Sequence, residues 1–356
     1  MIVLYILLAL LAFGVLIFFH ELGHFTFAKI FKVAINEFSI GMGPKLFSKK
    51  GKDGVNYSLR LFPIGGFVSM EGEAEESDNP NSFDKKAPYK RLIIVAAGAI
   101  MNIIIAVLIV LILSISSPYF GTTKIASFHN KETSYMGLEI GDRIIKISDN
   151  SVKTLDELSY EIMINGHEPI DVVVIRNGEE VVVKNVSFPV QVEDDFKHGV
   201  MNFSVYGEEK TFSSVIKNTF HTSLSTVKMI WDSVIGLFTG RFSFKQISGP
   251  VGVTGAMVEV AQYGPRSFFY LVAVISMNLG VFNLLPIPAL DGGTLLSTII
   301  EMIFKKKIPK KVEDIIKLVF FALLIVLIVF VSIKDVFYLF VWGLLWYIMI
   351  LEGKQE

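Results

Sequence analysis

Three stretches of this chain carry no charged residue: 1–19, 92–123 and 267–290. Each reaches or nearly reaches the roughly 20 apolar residues that cross the hydrocarbon core of a bilayer. A helix that is apolar all round must be enclosed by protein or by lipid, and three such runs rule out an ordinary soluble domain. The charged residues, 19% of the 356, fall between the runs. The expected fold class is a polytopic α-helical membrane protein of about four transmembrane helices, with sizeable soluble parts.

The first run has no basic leader and no small-residue cleavage site, so it is expected to stay as a transmembrane helix. The order expected is a first helix over 1–28, a loop over 29–91, a second helix over 92–114 and a soluble domain over 115–205. An amphipathic or linker region comes next over 206–266, broken by Gly249-Pro250-Val251-Gly252. A third helix runs over 267–293, a loop over 294–314, and a fourth helix with an aromatic C-terminal segment over 315–356. Two uncharged runs, 318–333 and 336–351, flank Lys334-Asp335. Each is short for a span, so one span plus an interfacial segment is preferred to two short spans.

Residues 29–91 hold 11 Lys and Arg, and 292–317 hold six lysines against three acids. The positive-inside rule puts both loops in the cytoplasm, while a long domain crosses regardless of its charge. The N-terminus and the soluble domain are therefore expected outside. A net charge of −1 gives no reason to expect a nucleic-acid partner. The absence of cysteine excludes disulfides, thiolate zinc sites and a cysteine nucleophile.

The soluble stretch reads as one small α+β module. Segments 124–128, 144–147, 170–175 and 181–186 have strand character, the last two joined by Arg176-Asn177-Gly178. Residues 154–164 place Leu155, Leu158 and Ile162 on one helical face. His129, His167, His198 and His221 show no metal spacing and are expected at the surface.

The sharpest local signal is His20-Glu21-Leu22-Gly23-His24. On a helix, positions i and i+4 share a face, so two imidazoles can grip one Zn²⁺ with Glu21 as general base. Random occurrence of H-E-x-x-H is expected roughly 0.006 times in a chain of this composition, so chance is a poor account of it. Ionisable groups in a membrane segment are costly and functional by default. Zinc needs a third protein ligand and an open position, yet residues 25–36 hold no His, Asp or Glu. Asp291, within Asn283-Leu284-Leu285-Pro286-Ile287-Pro288-Ala289-Leu290-Asp291-Gly292-Gly293, is the first charge after 24 uncharged residues. The alternative is a plain helix stop. Prolines at membrane depth, however, free backbone groups that are tolerated only beside a cavity or inside protein.

This pairing resembles the site-2 protease family of intramembrane zinc metalloproteases, and within it the bacterial regulator of sigma-E type. Phe38-Ser39-Ile40-Gly41-Met42-Gly43-Pro44, the segment from Tyr57 to Val68, the segment from Arg91 to Asn102 and Ser248-Gly249-Pro250-Val251-Gly252 add to the likeness, which covers nearly the whole chain. It implies His20, His24 and Asp291 as ligands of one Zn²⁺ per chain, Glu21 as catalytic acid–base and Asn283 as a substrate contact beside the metal. It implies a membrane-dipping β-hairpin that receives an unwound substrate by β-addition, with Tyr57, Leu59, Leu61, Gly66 and Val68 as the contacts. The segment Tyr135-Met136-Gly137-Leu138-Glu139-Ile140-Gly141-Asp142-Arg143-Ile144 resembles the ligand loop of a PDZ domain, with Tyr135, Met136, Gly137 and Leu138 on the peptide carboxylate or, alternatively, a domain that only filters by size. One such domain fits here, where proteobacterial members have two.

The resemblance implies an endopeptidase of the bacterial cytoplasmic (inner) membrane, its active site toward the cytoplasmic side. Its substrates would be single-pass membrane proteins, anti-sigma-factor-like or remnant signal peptides, after a first extracytoplasmic cut. A non-catalytic receptor would have no use for Glu21. An integral zincin of the prenyl-protein protease class would take a Glu as third ligand instead of Asp291.

Overall fold

A computed structural model of the chain describes residues 2–73, 75–129, 137–193, 196–243 and 246–352. In chain order its elements are α1 (Ile2–Ile30), β1 (Ile35–Lys50), β2 (Asn56–Met70), α2 (Pro88–Ser116), β3 (Tyr119–Phe128), β4 (Arg143–Ile147), β5 (Asn150–Ser151), α3 (Leu155–Asn165), β6 (Ile170–Arg176), β7 (Glu179–Val186), β8 (Val190–Glu193), β9 (Phe196–Gly199), β10 (Phe203–Glu209), α4 (Phe212–Phe238), α5 (Pro250–Gln262), α6 (Pro265–Leu284), α7 (Asp291–Phe304) and α8 (Lys310–Glu352). They group into two compact units, one of residues 1–106 with 246–356, the other of 107–245.

Among the described residues four helices are long and apolar enough to cross a membrane: Ile2–Ile30, Pro88–Ser116, Pro265–Leu284 and Lys310–Phe337. In hydrocarbon every backbone group must be paired inside the segment, which a continuous helix achieves. In the first unit, small residues let these helices approach closely. A Cβ on Gly23 would collide with the Ala97 carbonyl of α2, and one on Gly280 would come within 2.8 Å of the Ala99 oxygen.

The third span stops before the proline-interrupted stretch that leads to Asp291. α6 ends at Leu284, the chain runs without helix through 285–290, and Asp291 opens α7 instead of ending a helix. Pro286 and Pro288 explain the break, since neither has an N–H for a helical ladder and each disfavours helix in the residue before it. Most of the expected loop over 294–314 is therefore helical. The C-terminal segment is one 43-residue helix, α8, about 65 Å long at 1.5 Å per residue.

The loop between α1 and α2 holds more than a hairpin. β1 and β2 are long, bent strands that pair twice. Phe38 pairs with both Val68 and Tyr57, Ile40 with both Gly66 and Leu59, and residues 45–50 pair back onto 56–60. The result is a four-stranded antiparallel arrangement in the order 45–50, 56–60, 35–40, 66–70. Segment 57–60 is internal, and the outer segments are 45–50 and 66–70. At the far end Met42, Leu46, Phe47, Leu59, Leu61 and Phe62 are exposed.

The second unit contains an antiparallel sheet in the order β10-β3-β4-β6-β7, with β5 on β4. All four expected strands appear. The β6–β7 turn has Asn177 at φ 53° and Gly178 at φ 90°, the left-handed pair that a tight two-residue hairpin demands. Thr154 caps α3 through a reciprocal capping box with Glu157. Ile125, Leu138, Ile144, Ile162, Val172 and Phe203 form its core. Within the amphipathic or linker region expected over 206–266, β10 completes the sheet and α4 is an amphipathic helix of this unit, while α5, beyond the Gly249-Pro250 break, belongs to the first unit. Thr211 caps α4, and Pro250 stands in the first turn of α5, where a missing N–H costs nothing.

Candidate metal and catalytic site

The site lies in the first unit and is assembled by three helices and one strand. α1 carries His20 and His24 one turn apart, their ring centroids 4.8 Å from each other. Asp291 arrives from the first turn of α7. Gly292 and Gly293 let the chain turn back there: a Cβ on Gly292 would collide with the Leu285 carbonyl, and one on Gly293 would lie 2.7 Å from the Ile287 oxygen.

The three side chains converge on one point. His20 Nε2 is 3.1 Å from Asp291 Oδ2, His24 Nε2 is 3.3 Å from the same oxygen, and the two Nε2 atoms are 3.2 Å apart. Zinc–ligand bonds of about 2.0–2.1 Å in a tetrahedron give ligand–ligand edges of about 3.3–3.4 Å, so the spacing fits one Zn²⁺. Asp291 Oδ2 is buried without a hydrogen-bond donor. An acceptor so placed between two imidazole nitrogens is matched to a cation. This is the one cluster of three potential ligands among the described residues.

α2 supports the histidines from behind. His24 Nδ1 donates to the Ile94 carbonyl at 2.9 Å, and a partner on the outer nitrogen fixes the tautomer of a ligating histidine. Gly98 lies against both rings, where a Cβ would collide with His24 and come within 2.9 Å of His20 Cε1. Asn102 Nδ2 lies 3.4 Å from His20 Nδ1. Neither Gly98 nor Asn102 emerges as a site residue from the motifs. The signal available was an amide one turn beyond a glycine in an otherwise apolar helix.

Glu21 points to the sheet. Its Oε2 accepts the Val68 backbone N–H at 3.1 Å, and a Cβ on Gly66 would sit 3.4 Å from its Cγ. Val68 thus turns its N–H away from β1, and by the two-residue period of a strand Gly66 faces the same way. Gly66 and Val68 lie on the outer strand beside the metal-ligand cluster. Leu59 and Leu61 lie at the exposed tip. Tyr57 is internal: its ring stacks with Phe25 and Phe38, and its hydroxyl donates to Asp53 at 2.7 Å. Tyr57 and Leu59 therefore offer no free strand edge, because that backbone is paired on both sides. Asn283 is half-buried in the last turn of α6.

Away from the site, Glu37 links the strands as acceptor from Lys45 at 2.8 Å, Arg60 at 2.8 Å and Ser58. Burial alone would raise the Glu37 carboxyl, but these donors and the Arg60 charge prevail and hold it down to about 2. Arg91 of α2 pairs with Glu301 of α7 at 2.5 Å, tying the helix behind the histidines to the helix that begins with Asp291.

In the second unit Tyr135 and Met136 lie outside the described residues. Gly137 takes φ 82°, its carbonyl accepts from Arg176 Nη2 at 2.7 Å, and Leu138 is buried in the core. Arg176 also makes a bidentate pair with the buried Asp142 at 2.8 and 2.7 Å. His129 bonds Ser204 Oγ and His167 the Ile164 carbonyl.

Residues 8–327 match the sequence description of peptidase family M50. A Clostridium perfringens protein designated a zinc metalloprotease is 37% identical over 336 residues, covering 94% of this chain and 99% of its own. A Clostridium acetobutylicum protein with the same designation is 38% identical over 334 residues, at 94% and 97% coverage. The regulator of sigma-W protease RasP of Bacillus subtilis is 29% identical over 419 residues, covering 93% of this chain and 98% of its own. Because the family match takes in α1, α2, α6 and α7 together, and with them every group of the converging cluster, the chain belongs to peptidase family M50 and is a membrane zinc metalloprotease.

Proposed function

We propose that this enzyme is an intramembrane endopeptidase that cuts the transmembrane segments of single-pass proteins after a first cut outside, with His20, His24 and Asp291 as zinc ligands and Glu21 as general acid–base. The observation that carries the reading is the position of Glu21, between the ligand cluster and the outer strand at Val68. Zinc at such a site supplies Lewis-acid polarisation of a carbonyl and a water of lowered pKa. Glu21 is placed to take a proton from water at its carboxylate and to return it to the leaving amine.

A transmembrane helix hides its scissile amide within its own hydrogen bonds, so it must be extended before hydrolysis. The outer segment at Gly66 and Val68 supports β-addition, in which main-chain bonds of the enzyme replace the helical ones. Leu59 and Leu61 hold the tip in lipid, and Asn283 contacts the substrate beside the metal. The site opens toward the cytoplasmic side of a bacterial inner membrane, since the basic loops 29–91 and 292–317 favour that side.

The enzyme is of the regulator of sigma-E protease (RseP) type, with anti-sigma-factor-like proteins or remnant signal peptides as substrates. The name of the Bacillus subtilis relative, a regulator of sigma-W protease, supports this class. The outside domain over 115–205 is a single PDZ-like module, for which its small antiparallel sheet and the left-handed Gly137 speak. The deciding experiment compares wild type with Glu21→Gln on a reporter transmembrane segment in vesicles. Cleavage is lost and zinc content stays; turnover at the wild-type rate would sink the assignment.

A further inference from the structure

Asn102 is the one amide side chain in the uncharged stretch 92–123, and it is 1% exposed. Its Nδ2 stands 3.4 Å from His20 Nδ1, while its Oδ1 is buried with no hydrogen-bond partner. The two ends of an amide have the same shape, so the surrounding network decides which end faces which neighbour. Here the network is decisive. His20 turns Nε2 toward Asp291 and His24. A neutral imidazole that ligates through Nε2 carries its proton on Nδ1. That N–H and the amide NH₂ would oppose donor to donor, with the acceptor of the pair left idle.

We propose that Asn102 is the positioning residue for His20: in the zinc-loaded enzyme its Oδ1 accepts the Nδ1 proton, fixes the ligating tautomer and holds the ring toward the metal. This rests on the ligand set His20, His24 and Asp291. The same task for His24 is performed by the Ile94 carbonyl at 2.9 Å. α2 thus supplies both outer partners, at 94 and 102, with Gly98 midway, where only a residue without a Cβ leaves room for the two rings. The Asn102 backbone is held in turn from α6, where the fully buried Ser276 Oγ donates to the Asn102 carbonyl at 2.8 Å. The amide therefore sits on a fixed frame between two spans.

The test is zinc affinity, measured on full-length protein in detergent by competition with a chromophoric chelator, for wild type, Asn102→Leu, Asn102→Asp and His20→Ala. Leu keeps the shape and removes the acceptor, so affinity falls about 10- to 100-fold, as for other outer partners of metal ligands. Asp is acceptor only, and it holds zinc at least as tightly as wild type. Rescue by Asp separates acceptance from packing, because a buried carboxylate without a donor would weaken the fold rather than restore the metal. Wild-type affinity in Asn102→Leu, or an Asp variant as weak as Leu while His20→Ala is also weak, overturns the role of Asn102. Wild-type affinity in His20→Ala overturns the ligand set itself.

Discussion

Val68 donates its backbone N–H to Glu21 Oε2 at 3.1 Å. The bond joins the outer strand of the sheet to the carboxylate beside the His20, His24 and Asp291 cluster, so the strand and the group proposed to transfer protons are set by one contact. Proline is tolerated at a strand position whose N–H faces away from its pairing partner, so Val68→Pro deletes this donor and leaves the β1 pairing. A hydrogen bond to a charged group is worth about 1.5–3 kcal/mol, which is about 10- to 100-fold in rate. Cleavage of a reporter segment should fall by that factor at unchanged zinc content. An unaltered rate would show that the contact does not position Glu21.

Gly98→Ala makes an opposite pair of demands. In an exposed helix interior, alanine stabilises relative to glycine by roughly 0.5–1 kcal/mol. At position 98 the added methyl meets His24 and His20 Cε1. The prediction is a protein whose metal-free stability changes little, the helix gain offsetting the cost of displacing the rings, yet which binds zinc at least about 10-fold more weakly, since ligand orientation governs affinity. Metal analysis after chelator dialysis decides it. Full zinc occupancy would mean that the rings move aside freely.

The features of this site differ in legibility because their sequence signals differ in range. His20 and His24 are four residues apart on one helix, so local spacing alone brought them together. Asp291 lies 267 residues beyond His24; the residues alone marked it as the first charge after a long apolar run beside two prolines, and its pairing with the histidines came from the family resemblance. Its position at the start of α7 could not be read, because a proline pair marks a break but not whether a loop or a new helix lies beyond it. Gly98 and Asn102 matter through their distance to rings on another helix, and in one sequence an amide in an apolar run has no such partner written beside it. The double pairing of β1 and β2 was hidden for a similar reason. A two-residue alternation predicts strands, but not that residues 35–40 are shared between 56–59 and 66–70.

Acid should test the sheet through Glu37. Its carboxyl titrates at about 2 in the folded protein against an ordinary 4.5, so the folded state favours the charged form. That contribution is fully present above pH 4.5 and fades as the pH falls through 4.5 toward 2. Glu37→Gln should cost about 1–3 kcal/mol near neutral pH, the range for a carboxylate with several charge-assisted donors. Unfolding midpoints of wild type and variant should converge between pH 4.5 and 2. Parallel curves down to pH 2 would exclude Glu37 as the source.

The longest-range prediction concerns Asp335, which interrupts the apolar C-terminal helix and is 7% exposed. Its Oδ2 accepts the backbone N–H of Gly249 and of Gly252, each at 2.8 Å. Those groups belong to the N-terminal end of α5, where unpaired N–H groups and the helix dipole favour an anion. The Gly-Pro-Val-Gly sequence is thereby explained: a Cβ on Gly249 or Gly252 would come within 3.0 or 2.9 Å of the carboxylate. Lys334 Nζ adds a contact to the Ile247 carbonyl at 2.5 Å. Asp335→Leu strands these donors and should destabilise by about 3 kcal/mol, as when one partner of a buried charge contact is removed. Gly252→Ala should destabilise by crowding the same oxygen. If both act through this contact, the double variant loses less than the sum of the single losses, a non-additivity that thermal unfolding in detergent can measure. Fully additive losses would show that Asp335 acts elsewhere than on the start of α5.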